Sequence, residues 1–399
     1  MQKLFLSKDF FLKNYKIIFL LIILILIFYR SPYIFLNGRF VAEEGSFFFK
    51  NAYLHGPIYG IRQILFGTGY FNLWANVSSV FASFLPLKYA PFGTVYMAFF
   101  VQFYLFVFII YSVNTFLIKK IDKFLVSLII LVSPPMVAEV WLNTLTSQVY
   151  FSLLVILIFF QKDIVKNFFT KSSPVILLIS GLTSLISCIF TPFFFYKYLK
   201  NKNKFNFFNI LALSSATLFQ SIVFAYIQIN DLLFGGQSVR FITSFEKFIN
   251  YNYNVLVKSF FGRDLTQTIF YKFFNIENLF FLVILITFFF LFFFFFIYKK
   301  VKNDKILFYL ILFFILQSLF AFYGAKVEQV QGRFALIPSI LLIFSVYRFF
   351  QISSNSYLGK FCLLLIFFSL TTGSYEYKTN NKYNHFLMCI DCPIWKDEI

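Results

Sequence analysis

Ile17-Ile18-Phe19-Leu20-Leu21-Ile22-Ile23-Leu24-Ile25-Leu26-Ile27-Phe28-Tyr29-Arg30 is the stretch that decides the fold. Lys13 and Lys16 precede it, and the apolar character continues to Leu36. A run of this length buries every backbone group only as a helix, and it is long enough to cross a bilayer. No small-residue cleavage site comes after it, so it reads as a signal anchor that leaves the N-terminus in the cytoplasm. The same grammar repeats along the 399-residue chain, which is 60% hydrophobic and 13% charged. A soluble domain would need far more polar surface to cover such a core. Phenylalanine, at 68 residues, outnumbers any functional need. Together with the Ile, Lys, Asn and Tyr content it reads as the codon bias of an AT-rich genome.

The net charge of +19 would suggest nucleic acid as partner in a soluble chain. Its placement points to topology instead. Lysines gather at 3–16, 119–123, 162–171, 197–204 and 299–305, each time at the end of an apolar run. This is the positive-inside pattern. Counting runs between these clusters gives an all-α, polytopic transmembrane bundle of about eleven passes. They fall near 17–36, 92–116, 124–138, 146–160, a hairpin over 174–198, 206–228, 278–298, 306–324, 334–350 and 361–373. The hairpin is required because lysines flank both ends of Pro174–Tyr198, and it turns near Gly181–Ser184. Residues 1–373 form one membrane domain with long outer loops near 37–91 and 229–277, and 374–399 form a short extracytoplasmic tail. No internal repeat of the kind common in secondary transporters is evident. The setting implied is the inner (plasma) membrane of a bacterium, with membrane lipids as partners and no nucleic acid.

The first outer loop is the richest in chemistry. From Glu44, apolar residues recur with helical spacing: Phe47, Phe48, Ala52 and Tyr53 share a side, and Gly56-Pro57 ends the run. The pattern predicts an amphipathic helix lying on the membrane surface. Glu43 and Glu44 open it. They can simply complement the helix dipole, or one can act as a base or metal ligand at the interface. His55, at the other end, is a possible third metal ligand or a structural residue. Farther along, Glu139, Trp141 and Asn143 lie in a short outer loop. Trp141 suits a membrane anchor, or a platform for a sugar ring with Glu139 beside it. Lys326 and Arg333 flank the start of the tenth pass, where they could bind a phosphate or snorkel to headgroups. Arg240, Arg263 and Asp264 are available in the longest later loop. Cys188 and Cys362 lie in apolar runs. Cys389 and Cys392 form a lone C-x-x-C that suits a short disulfide or two free thiols better than zinc.

The run Ala42-Glu43-Glu44-Gly45-Ser46-Phe47-Phe48-Phe49, after an apolar first pass, resembles the Ala-Glu-Asp-Gly-x-x-Phe pattern of GT-C superfamily membrane glycosyltransferases. Glu44 stands where the family pattern has Asp. Gly69-Tyr70, a second apolar helix near 71–85, and the tail element Cys392-Pro393-x-Trp395-x-x-Glu398 add to the likeness, which is specific over about 30–90 and loose elsewhere. The resemblance implies transfer of a sugar from a polyprenyl-phosphate-linked donor to a cell-envelope glycan or lipid acceptor at the extracytoplasmic face. In that reaction Glu44, or Glu43, is the catalytic carboxylate. Arg333, Lys326, Glu139, Trp141 and Tyr70 contact substrate, and Glu43, Glu44 and His55 could hold a divalent cation such as Mg or Mn. Two other readings remain open: a lipid-linked sugar flippase, which should place ionisable groups near the bilayer midplane, and an O-antigen polymerase-like protein, which usually depends on arginines in later loops.

Topology is directly testable. Reporter fusions at Lys120, Lys166, Lys202 and Lys302 should report the cytoplasm, and those at Tyr53, Phe261 and beyond Tyr375 the outside. A cytoplasmic signal at Tyr53 refutes the scheme, whereas an outside signal at Lys202 refutes only the hairpin.

Overall fold

The computed structural model describes residues 8–65, 69–132, 140–163, 167–233, 244–266, 268, 284, 287–288, 303–324 and 332–379. Among these the regular structure is entirely helical apart from one isolated bridge, Asn114 with Gln161. Five helices are long and apolar enough to cross a membrane: Leu87–Tyr111, Lys204–Asn230, Lys305–Gly324, Gly332–Ser353 and Tyr357–Tyr377. These apolar helices mark a membrane protein. Eleven crossings are a finer count than these helices establish, and all but three residues of the pass expected near 278–298 (284, 287 and 288) lie outside the described residues.

The chain enters with α1 (Lys8–Arg30), which stops one residue before Ser31-Pro32 turns the chain. The single pass expected over 17–36 is therefore divided. Proline removes a backbone donor and disfavours helical geometry in the residue before it, so α2 (Pro32–Asn37) starts afresh. The first-loop helix exists but is wound differently from the expectation. Glu44–Phe49 is a π turn that runs on into α3 (Lys50–His55). The wider π turn shifts the inward face. Phe48, Phe49 and Ala52 are buried, whereas Tyr53, expected on that face, is 41% exposed. Then come α4 (Pro57–Ile61), α5 (Leu73–Ser83) and α6 (Ala90–Tyr111).

Next are α7 (Lys120–Val132), α8 (Gln148–Phe159), α9 (Phe168–Thr183), α10 (Leu185–Cys188), α11 (Thr191–Lys200) and α12 (Lys204–Leu233). In the later part lie α13 (Phe245–Asn252), α14 (Lys258–Phe261), α15 (Lys305–Gly324), α16 (Gly332–Ser353) and α17 (Tyr357–Thr379). The last runs past the expected boundary at 373, so Glu376 and Tyr377 belong to a helix and are buried, not part of a loose tail.

α16 sits at the centre, with 78% of its apolar window buried against 28% for α15 at the rim. Every residue of α8 from Val149 to Phe159 is buried too. A helix apolar all round belongs inside. At 12 residues α8 is roughly 18 Å long, short of a hydrocarbon core. It is tolerated because protein, not lipid, meets its ends. Lysines from the basic clusters close the C-terminal ends of α6 and α8. Lys123 Nζ donates to the carbonyls of Ile110 and Ser112 (2.9 and 2.7 Å) at the end of α6. Lys197 Nζ donates to those of Phe159 and Gln161 (3.0 and 3.2 Å) at the end of α8 and pairs with Asp163 at 2.9 Å. The charges thus satisfy the last carbonyls and complement the helix dipoles.

Lys197 also fixes the hairpin. α9 breaks at Ser184, whose backbone is extended, and α10 and α11 lead the chain back to the end of α8. Gln220 of α12 holds the break. Its amide nitrogen donates to the carbonyls of Gly181, Leu182 and Phe71 (3.1, 3.0 and 2.8 Å), while its oxygen accepts from Phe71 N at 3.1 Å. One fully buried side chain therefore joins a broken helix to the first loop. Gln220→Leu should lower the unfolding free energy in detergent by about 1–3 kcal/mol, because it strands buried backbone groups. An unchanged melting midpoint would show that these bonds hold nothing.

Candidate functional site

The polar chemistry of the described residues concentrates where the first loop meets the segment between α7 and α8. Its first half is a tight turn after α2. Gly38, at φ 68°, packs against Pro91 and Phe92 with no room for a side chain. Arg39 comes next, then Phe40, Val41, Ala42, Glu43 and Glu44. Glu44 N donates to the Val41 carbonyl (3.0 Å), and Val41 N donates back to Glu44 Oε2 (2.9 Å). This is one half of capping-box logic, an acid reaching back to the backbone N–H three residues earlier, closed here by a backbone bond. It gives the two adjacent acids opposite surroundings: Glu43 is exposed, and Glu44 is 1% exposed.

The second half is Val140–Ser147, a polar loop that is almost wholly buried. Buried irregular backbone must find its partners internally. Asn143 Oδ1 accepts from Leu145 N (2.8 Å), and the hydroxyls of Thr146 and Ser147 donate to the Asn143 carbonyl. The rest comes from the first loop. Glu44 Oε1 accepts from Thr144 N at 2.6 Å and from the Thr144 hydroxyl. Arg39 donates to the Trp141 carbonyl, and Asn72, which caps α5, donates to the Leu145 carbonyl at 3.2 Å. Ala42 (φ 48°) and Leu142 (φ 50°) are the non-glycine residues with left-handed backbone among those described, and they sit one on each side of this junction. Such conformations persist only where the surroundings over-determine them, and they gather at functional sites.

Burial pushes the Glu44 carboxyl above its ordinary range, against the opposing pull of Thr144, Val41 and Arg39. Burial likewise brings the Arg39 guanidinium down to about 10, with Glu44 working the other way. Beside this pair lies a second arginine. Arg30, the last residue of α1, is 5% exposed, with its guanidinium over the rings of Trp141 (4.4 Å) and Tyr377 (4.7 Å). Tyr377 is held by a bond from its hydroxyl to the Leu26 carbonyl (2.6 Å). Next to it, Glu376 accepts from the backbone N–H groups of Arg263 and Asp264, tying the later loop to α17.

The residues expected from sequence are thus partly assembled. Glu44 and Trp141 belong to one junction, but Glu44 faces the protein and not the membrane interface. Trp141 is buried with Arg30 on its ring, so it neither anchors in lipid nor offers an open face to a sugar. Tyr70 is half-buried next to Phe71, which Gln220 clamps. Arg333 opens α16, half-buried, with its guanidinium 5.1 Å from the Phe334 ring. His55 is exposed and meets Tyr59 edge-on at 4.9 Å. Among the described residues no three His, Cys, Asp or Glu side chains come together in an arrangement that could hold a metal ion. Glu139, Lys326, Arg240 and the Cys389/Cys392 pair lie outside the described residues. Arg30, Tyr150, Thr144, Glu376 and Tyr377 were not singled out from sequence. Only Arg30 carried a signal, as a charge inside an apolar run.

Compared with protein-family models, curated proteins and solved structures, the chain matches none.

The junction makes a quantitative claim. Glu44→Gln presents an N–H₂ where Val41 N–H or Thr144 already donates, and should cost about 1–3 kcal/mol of stability. In a double-mutant cycle with Thr144→Val the two losses should be strongly non-additive. Additive losses in denaturant or thermal unfolding would mean that the two side chains act independently.

Proposed function

We propose that this chain is a membrane glycosyltransferase that moves a sugar from a polyprenyl-phosphate-linked donor to a cell-envelope glycan or lipid acceptor at the extracytoplasmic face. One observation supports the reading above the others: the adjacent acids are divided between two tasks beside a pair of buried arginines. Glu44 is consumed in holding the first loop to Val140–Ser147. Glu43, one residue earlier, is exposed at the start of the π turn. In this reading Glu43 is the group available to take the proton of an acceptor hydroxyl, and Glu44 is the positioning residue that aims it. The leaving group is a lipid phosphate. Its developing charge calls for fixed cations, and Arg30 and Arg39 lie on the same junction through Trp141. A divalent cation, if used, would add to that stabilisation, but Glu43 and His55 stand at opposite ends of the helical stretch 44–55, too far apart along its axis to hold one ion together. The resemblance of Ala42–Phe49 to the GT-C pattern supports the glycosyl-transfer reading but points to Glu44 as the catalytic carboxylate; the exchange of roles proposed here rests on the burial of Glu44 and the exposure of Glu43.

The test is sugar transfer from a panel of radiolabelled polyprenyl-phosphate hexoses and pentoses, in membranes holding matched amounts of each variant. Glu43→Gln should lose about 100- to 10,000-fold in rate while its melting temperature stays at the wild-type value. Glu44→Gln should lose activity and stability together. Wild-type rates in Glu43→Gln would remove it as the base, and no transfer by the wild type from any donor would remove the enzyme reading.

A further inference from the structure

We infer that the cluster around Trp141 is a binding site for the phosphate oxyanion of a lipid headgroup. It lies at the end of the bundle where α1 stops and α8 begins. Among the described residues, three buried side chains there keep polar atoms with no hydrogen-bond partner: Arg39 Nε, Trp141 Nε1 and the Tyr150 hydroxyl, in residues 7%, 1% and 2% exposed. A buried polar atom left unpaired costs stability, and each such atom in a native protein calls for an explanation. The chemistry of this set is one-sided. Guanidinium Nε and indole Nε1 can only donate, and a tyrosine hydroxyl can donate. The partner that would satisfy them is an acceptor.

The surrounding charge selects an anionic one. Arg39 donates to the Trp141 carbonyl, Arg30 lies 4.4 Å over the Trp141 ring, and Tyr150 is within electrostatic reach of both Arg30 and Tyr377. Among the described residues, the carboxylates close by are engaged with backbone: Glu44 with Val41 and Thr144, and Glu376 with Arg263 and Asp264. Two arginines with indole and phenol donors match the several oxygens of a phosphate. The lipid is a polyprenyl phosphate if the proposed reaction holds. The identity of that lipid rests on the glycosyl-transfer reading, whereas the oxyanion site does not.

Tyr150→Phe separates this from a purely structural role, because it removes one oxygen that the fold does not use. Purified wild type and variant would be titrated in neutral detergent with polyprenyl monophosphate, phosphatidylglycerol, the uncharged polyprenol and inorganic phosphate, with binding followed by thermal stabilisation. Wild type should be stabilised by polyprenyl monophosphate and not by polyprenol, and Tyr150→Phe should bind it about ten-fold or more weakly. Trp141→Phe, which removes the indole N–H and keeps a ring under Arg30, should weaken it similarly. Stabilisation by phosphatidylglycerol as well would support a general headgroup site, and stabilisation by inorganic phosphate alone would overturn the lipid half of the proposal. Binding without sugar transfer would leave the site standing and remove the enzyme reading. No stabilisation by any phosphate, or equal affinity in wild type and Tyr150→Phe, would overturn the proposal.

Discussion

The carboxylate of Glu44 joins two parts of the chain 100 residues apart. It accepts from Val41 N within its own turn and from Thr144 N and the Thr144 hydroxyl across the junction. A carboxylate has room for several donors and supplies none, which suits it to a place where backbone N–H groups face inward from two irregular segments. Neither segment could stay buried without it. The turn would leave Val41 N–H unpaired, and the loop Val140–Ser147 would leave that of Thr144. Much of the surrounding arrangement depends on this link. The arginine of the turn reaches the Trp141 carbonyl, the Trp141 ring receives Arg30, and Arg30 brings in Tyr377 from the last helix.

A second constraint is length. α8 and α9 have 12 and 16 residues, and α9 breaks at Ser184. Short and broken helices leave terminal carbonyls at depths where lipid offers no partner. The protein answers with long polar side chains from neighbouring helices. Lys123 and Lys197 close the ends of α6 and α8, and Gln220 closes the end of α9 while gripping Phe71. The first loop is therefore held at two places, by Glu44 near its start and by Gln220 near Phe71. These two links tie the described parts of the loop to the bundle.

Much of the architecture was legible in the sequence. Apolar runs with lysines at their ends located α6, α12, α15, α16 and α17 to within a few residues at most of their ends, although α17 continues to Thr379. Lysines on both sides of 174–198 required a reversal, and it occurs at Ser184. Periodicity placed a helix after Glu44, yet it misjudged the inward face because a π turn does not have the period that was counted. The acidic pair stood out in the sequence, but the opposite burial of its two members did not: Glu44 is inside and Glu43 is exposed. Two adjacent glutamates look alike in sequence, and only the bonds that Glu44 accepts from Val41 and Thr144 distinguish them.

A long apolar segment that crosses lipid can satisfy all its backbone groups within itself only as a helix. For that reason the amino-acid sequence alone specified the helices, their approximate ends, and the concentration of polar chemistry in the first loop. Which polar groups meet was settled only by packing. Arg30, Trp141, Tyr150 and Tyr377 lie on four separate segments. No local rule of spacing or propensity links them. Their meeting depends on how α1, α8 and α17 pack around the loop that Glu44 holds, and packing of that kind is a property of the whole chain and not of any stretch of it.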